Sequence, residues 1–221
     1  MKKLLPILSI IFIASACSTN NDSHANEKTA TQYSTDSIKQ KFNSLRFDYN
    51  RADSKFKFID ISTIDSTNEF NFDKPDRALL LSEKEYYEAL QDSNLEYYDA
   101  DMNNAFFYSK QSDYKNFKRY IFATIDENIG YNYIYNIYDT SGKKTSSFAY
   151  KGFGGDGGWW YHLNTKKEND NTFIQTNIDC EGSIDSSGNN VSVCDSIITK
   201  YMIKNDGSLQ EISLGKFTLT R

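Results

Sequence analysis

The chain has 221 residues, with 30 acidic against 25 basic side chains and a formal net charge of −5. That mild, mixed-sign balance excludes nucleic acid as a partner, because such binding draws on clustered Lys and Arg. Aromatic residues make up 15% of the chain, with 16 Tyr and 15 Phe against only 2 Pro, which excludes a disordered polymer and leaves large rings, each burying about 150–250 Å², to supply much of the core.

The chain opens MKKLLPILSIIFIASACS. Lys2 and Lys3 precede an apolar run from Leu4 to Ile13, and Ala14, Ser15 and Ala16 lead into Cys17. A basic start, a short apolar run and small residues before a cut describe a secretory leader. The run is well short of the ~20 residues that cross a bilayer as a helix. The stretch resembles a bacterial lipoprotein signal, and that resemblance implies that residues 1–16 are removed and Cys17 carries the lipid. It further implies an outer-membrane lipoprotein of the cell envelope, facing the periplasm or the cell surface. The alternative is an ordinary cleaved leader in which Cys17 is a bystander.

Residues 17–35 are polar and read as a flexible tether, since they cannot bury enough surface to offset their ordering entropy. His24 lies inside it. Residues 36–221 read as one mostly-β domain. Ile38, Phe42 and Leu45 recur at helical spacing and predict a short amphipathic helix. Lys55 to Ser62 predicts a strand, and Ala78 to Leu81 a short extended run. Ser82 and Glu85 form a capping box that opens a helix over Glu83 to Gln91, with Tyr86, Ala89 and Leu90 on its apolar face.

Strand signals then follow one another: Ala105 to Lys110, Lys118 to Ile125 and Tyr131 to Tyr138 are rich in aromatic and β-branched residues. Tyr131, Tyr133, Tyr135 and Ile137 share one face of the third, as a sheet with one buried face requires. Asp139 to Gly142 makes a turn into a return strand from Thr145 to Tyr150. Thr172 to Asp179 and Ser196 to Lys204 align Ile174, Thr176 and Ile178 in one case and Ile197, Thr199, Tyr201 and Ile203 in the other. Their pairing places Cys180 opposite Cys194 at the mouth of a long polar loop, where an exported chain keeps a disulfide. Asn205 to Gly207 turns into Leu209 to Leu214 and Lys216 to Thr220, with Gly215 as a bulge. The expected fold is mainly β, an antiparallel meander or sandwich with two short helices in the N-terminal half. The phrase NIYDTSGKKTSSF and, more weakly, Tyr201 to Ile212 resemble blades of the propeller-type proteins found among bacterial lipoproteins, which implies propeller-like blades as a variant.

The densest chemical stretch is YKGFGGDGGWWYHLN, from Tyr150 to Asn164. Glycines let a backbone approach a ligand closely, and Asp156, Trp159, Trp160 and His162 are the candidate ligand-binding residues, for a glycan or a protein partner. The competing reading is a glycine-rich connection into a strand whose alternate rings enter the core. No second carboxylate is assigned to Asp156, so a glycosidase pair has no support. Asp99, Asp101 and Asn103 open like a calcium loop, but Asn104 stands where glycine is needed and Lys110 where the closing glutamate belongs. His24 and His162 are the only histidines and have no ligand spacing to the cysteines. With no nucleophile elbow, phosphate loop or dinucleotide fingerprint, no cofactor, no metal and no catalytic residue is expected. A binding protein leads, with an envelope-polymer hydrolase and an inhibitor or immunity-type interaction protein as alternatives. The interaction protein is the one that would present a flat apolar patch instead of a cleft.

Overall fold

The computed structural model describes residues 44–63, 69–91, 103–126, 130–184 and 187–220. The leader, Cys17, the tether, Ile38, Phe42, Asp99 and Asp101 lie outside the described residues. Among the described residues the N-terminal half holds two short α-helices: α1 (Tyr49–Ala52), capped by the Asp48 carboxylate, and α2 (Glu83–Leu90). The expected capping box holds at α2. The Ser82 N–H donates to Glu85 Oε2 at 2.8 Å, and the Glu85 N–H returns to the Ser82 hydroxyl, satisfying two donors that a helix start leaves open.

Nine strands form one sheet in sequence order: β1 (Lys57–Phe58), β2 (Asn103–Tyr114), β3 (Phe117–Asp126), β4 (Gly130–Tyr138), β5 (Lys144–Asp156), β6 (Trp159–Asn169), β7 (Thr172–Ile184), β8 (Asn190–Ile203) and β9 (Leu209–Thr220). Only β1 is parallel to its neighbour β2; every other pair is antiparallel. The protein is therefore a mainly-β meander with two short helices in its N-terminal half. The sheet is continuous from β1 to β9 and is not divided into four-stranded blades.

The expected strand over Lys55 to Ser62 shrinks to two residues, because Ile61 begins a 3-10 turn held by Gln111 Oε1. Ala78 to Leu81 is likewise a 3-10 turn followed by a single bridge from Leu80 to Phe106. At the other end, Gly215 does sit at a register shift, yet β9 runs through it unbroken.

Two cores flank the first strands. On one face Phe47, Phe56, Leu81, Tyr86, Ala89 and Leu90 pack on Ala105, Phe107, Tyr120, Phe122 and Tyr138. On the other, Phe106, Tyr108, Ile121, Tyr133, Tyr135, Ile137, Phe148, Tyr150 and Phe173 meet. The expected tyrosine face of β4 is thus buried, but so is its reverse face, because α2 covers it. Asn136 is tolerated there since its Nδ2 donates to the Ala89 carbonyl at 3.1 Å and to the Tyr138 hydroxyl at 2.9 Å; a buried amide without such partners would cost about 1–3 kcal/mol.

The segment from Phe47 to α2 is clasped to the β4–β5 turn. The Phe47 N–H and Gln91 Nε2 both donate to the Gly142 carbonyl, at 2.8 and 2.9 Å, and the Lys144 N–H donates to Gln91 Oε1 at 2.8 Å.

Beyond β5 the sheet changes course. β5 pairs with β6 only from Gly152 to Asp156, so the earlier part of β5 is free of β6 and the later part of β6 belongs to β7. Phe173 of β7 lies 5.3 Å from the rings of both Tyr135 and Phe148, and Tyr201 of β8 stacks on Phe148 at 4.9 Å. Strands β7 and β8 therefore come back against β4 and β5 and enclose the second core. Gln175 Nε2 ties the two layers through the Ala149 carbonyl at 2.5 Å. The glycine-rich stretch is the corner where this happens.

Candidate functional site

The corner is built by a two-residue turn. Asp156 pairs with Trp159 across Gly157 and Gly158, whose φ angles of +59° and +99° are both in the range that favours glycine, as a primed hairpin turn requires. Just below, the backbones of β5 and β6 come very close. A Cβ on Gly155 would stand 2.2 Å from the Trp159 carbonyl oxygen and 2.6 Å from the Trp160 Cα. The glycines of this stretch accommodate chain against chain, which is the competing reading of the motif, and no ligand is needed to explain Gly155.

Trp159 and Trp160 are neighbours on a strand and so point to opposite faces. On the Trp159 face, the indole N–H donates to Asp179 Oδ1, the ring lies 5.5 Å from Tyr161, and the Tyr161 hydroxyl meets Asn132 Oδ1 at 3.2 Å. Register puts Asp156, Asp179, Glu181 and Asp195 on this same face. Asp195 accepts from Lys216 Nζ at 2.7 Å and from the Thr218 hydroxyl at 2.6 Å, which hold its carboxyl below the ordinary aspartate value. This face is acidic and hydrogen-bonded. The Asp156 side chain is exposed.

The opposite face carries Trp160 and His162. Trp160 is paired with Cys180, which is directly opposite Cys194, and the two sulfurs are bonded. The expected disulfide is therefore present but its setting differs. β7 and β8 continue past it to Ile184 and Asn190, so the link lies within the ladder and not at a loop mouth. The polar stretch around it is strand because its alternation continues the register of the paired strands below.

His162 is exposed, opposite Phe153, with ring centroids 6.5 Å apart. Following register across the sheet, one row reads Phe153, His162, Ile178, Ser196, Phe217 and the next Trp160, Cys180, Cys194, Leu219. With Cys180 opposite Cys194, the isoleucine rows of β7 and β8 fall on opposite faces. Ile174 and Ile178 lie on this face, whereas Ile197, Tyr201 and Ile203 pair with the opposite one.

Five of the eight large apolar side chains that stand exposed among the described residues fall on the disulfide face: Phe153, Trp160, Ile184, Phe217 and Leu219, with Phe217 57% and Leu219 53% accessible. Sequence reasoning missed Phe153, Phe217 and Leu219, because each is one ring or branch in an alternating strand and only the cross-strand register gathers them. The four candidates thus separate into Asp156 with Trp159 on one side and Trp160 with His162 on the other. The structure brings the second pair into an apolar surface and places the first in an acidic one. No group of three or more His, Cys, Asp or Glu able to hold a metal ion occurs among the described residues.

Compared with models of known protein families, with curated proteins and with solved structures, the chain matches none.

Proposed function

We propose that this chain is an envelope-tethered, non-enzymatic binding protein that docks through the disulfide face of β5–β9. The observation that carries the reading is the gathering of exposed Phe153, Trp160, Ile184, Phe217 and Leu219 on one face. Exposed apolar side chains gathered on one face mark an interaction surface, which fits an interaction protein better than an enzyme built around a cleft. The leader and Cys17 support delivery to the cell envelope and a lipid anchor at that cysteine. No helix among the described residues is long and apolar enough to cross a membrane, so in this reading the N-terminal segment supplies the attachment.

Site-specific photo-crosslinking in intact cells tests the proposal. A photoreactive residue at position 160 or 217 gives adducts with an envelope component, and one at position 156 does not. Adducts at all three positions alike, or at none, refute it. Lipid incorporation that disappears on Cys17→Ser checks the anchor.

A further inference from the structure

We infer that the disulfide face of β6–β9, together with Phe153, rests on the surface of a lipid bilayer. This names the partner of the docking face proposed above and rests on that reading.

Three observations on the molecule select this occupant. First, the carboxylates are sorted to one face of the sheet, while lysines stand on both, Lys167 and Lys216 on the acidic face among them. The strand carboxylates that register assigns in β5–β9, namely Asp156, Asp179, Glu181, Asp195 and Glu211, all fall on the opposite face. The disulfide face instead carries Lys166 and Lys200, one on each side of Ile174, with Glu168 at a register shift 3.7 Å from Lys200. In a chain of net charge −5 that sorting leaves an apolar field free of strand carboxylates with Lys166 and Lys200 at one end, which suits acyl chains below and phosphate headgroups beside them. Trp, Phe and Leu supply rings and branches that settle at the headgroup boundary, and long Lys stems let the ammonium groups reach outward.

Second, the apolar field is modest in extent: four strands about 4.8 Å apart and four residue rows about 6.8 Å apart outline on the order of 500 Å² in projection, which a bilayer accepts when a lipid anchor supplies a second attachment. Third, in the reading above a lipid at Cys17 already holds the chain to the membrane, and stable anchoring takes a second signal, which this face supplies.

The two tryptophans are the only ones in the chain and point to opposite faces, which provides the test. The full chain carrying Trp159→Phe, and separately Trp160→Phe, is reconstituted through its own N-terminal segment into vesicles of phosphatidylcholine with some phosphatidylglycerol, made with and without acyl-chain bromine. Folding of each variant is checked by circular dichroism. With Trp160 as the remaining fluorophore, brominated lipid lowers the emission by about half, as for a ring at the depth of an interfacial apolar face. With Trp159 remaining, emission is unchanged. Adding Phe217→Ser and Leu219→Ser to the Trp160 reporter abolishes the quenching. An unquenched Trp160, or equal quenching of both reporters, overturns the inference. If Trp160 is unquenched while position 160 still crosslinks to a protein, the docking reading stands and the bilayer as its partner is rejected; if position 160 crosslinks to nothing, both fall.

Discussion

Replacing Gly155 by Ala and, separately, Gly157 by Ala makes the same chemical change two residues apart, with very different surroundings. At Gly157 an added Cβ meets nothing within 4 Å, so the cost is that of holding a non-glycine residue at φ +59°, about 1–2 kcal/mol. At Gly155 the methyl would lie 2.2 Å from the Trp159 carbonyl oxygen, and both clashing groups are backbone of the paired strand. The β5–β6 ladder has only the five pairs from Gly152 to Asp156, so the strands must part locally. Overpacking that cannot be relieved by a side-chain rotation costs about 3 kcal/mol. With a urea slope of about 2 kcal/mol per molar, the midpoints of the two variants separate by roughly 0.5–1 M in an oxidising buffer. Midpoints that coincide would show that the glycine run is not held open by the approach of chain to chain, and the corner would again need a ligand to account for it.

Other outcomes follow from the same geometry. Replacing Cys180 and Cys194 together by Ser removes a link across 14 positions and lowers stability by about 2–3 kcal/mol, toward the upper end if the ladder beyond the link frays; a urea midpoint unmoved relative to the native chain would contradict it. Burial raises the Asp53 carboxyl, but hydrogen bonds from Lys110 Nζ and the Tyr120 hydroxyl, both at 2.6 Å, outweigh it and hold the group below the ordinary aspartate value. A depressed folded-state value gives stability that is present above about pH 4 and lost as the pH falls further, so Asp53→Asn reduces the acid sensitivity of the urea midpoint between about pH 6 and pH 3. Burial pushes the phenols of Tyr120, Tyr133, Tyr135 and Tyr138 above the ordinary tyrosine value. Raised values contribute stability below about pH 10 that is lost above it; tyrosinate absorbance of the folded protein lags that of the urea-unfolded chain on alkaline titration, and superimposable curves would refute this.

The strands were legible because their signal is local. Aromatic and β-branched residues alternating between turn signals locate β2 to β5 and β7 to β9, although β5, β7 and β8 run about five or six residues beyond that local signal, and the Ser82 to Glu85 box marks the start of α2 without any tertiary information. What the sequence hid is relational. Nothing local to Tyr138 or Asn136 says that a helix lies over them, since the covering residues Leu81 and Ala89 are about 50 positions away. The same limit applied to the site. Period-two alternation already separates Trp159 from Trp160, but the identity of each face depends on which residues of β7, β8 and β9 stand beside them. Trp160, Ile178 and Phe217 come to share one face only through a register that a single chain of letters does not display. The glycines drew attention for a sound reason, close approach, and the partner that approaches is the neighbouring strand.

The strictly sequential order of the sheet has a consequence for how the molecule is assembled. Every antiparallel pair joins strands adjacent along the chain, so hairpins can zip one after another with short loops to close and little entropy lost at each step. The clasp is the exception: the Tyr49 hydroxyl reaches the Asp139 carbonyl across 90 positions. The segment from Phe47 to α2 is thus among the last to find its place, waiting for the β4–β5 turn to exist. Until then the rings of Phe107, Tyr120 and Phe122 stand uncovered, and that interval is when a newly made chain is most open to capture by chaperones or by its own kind.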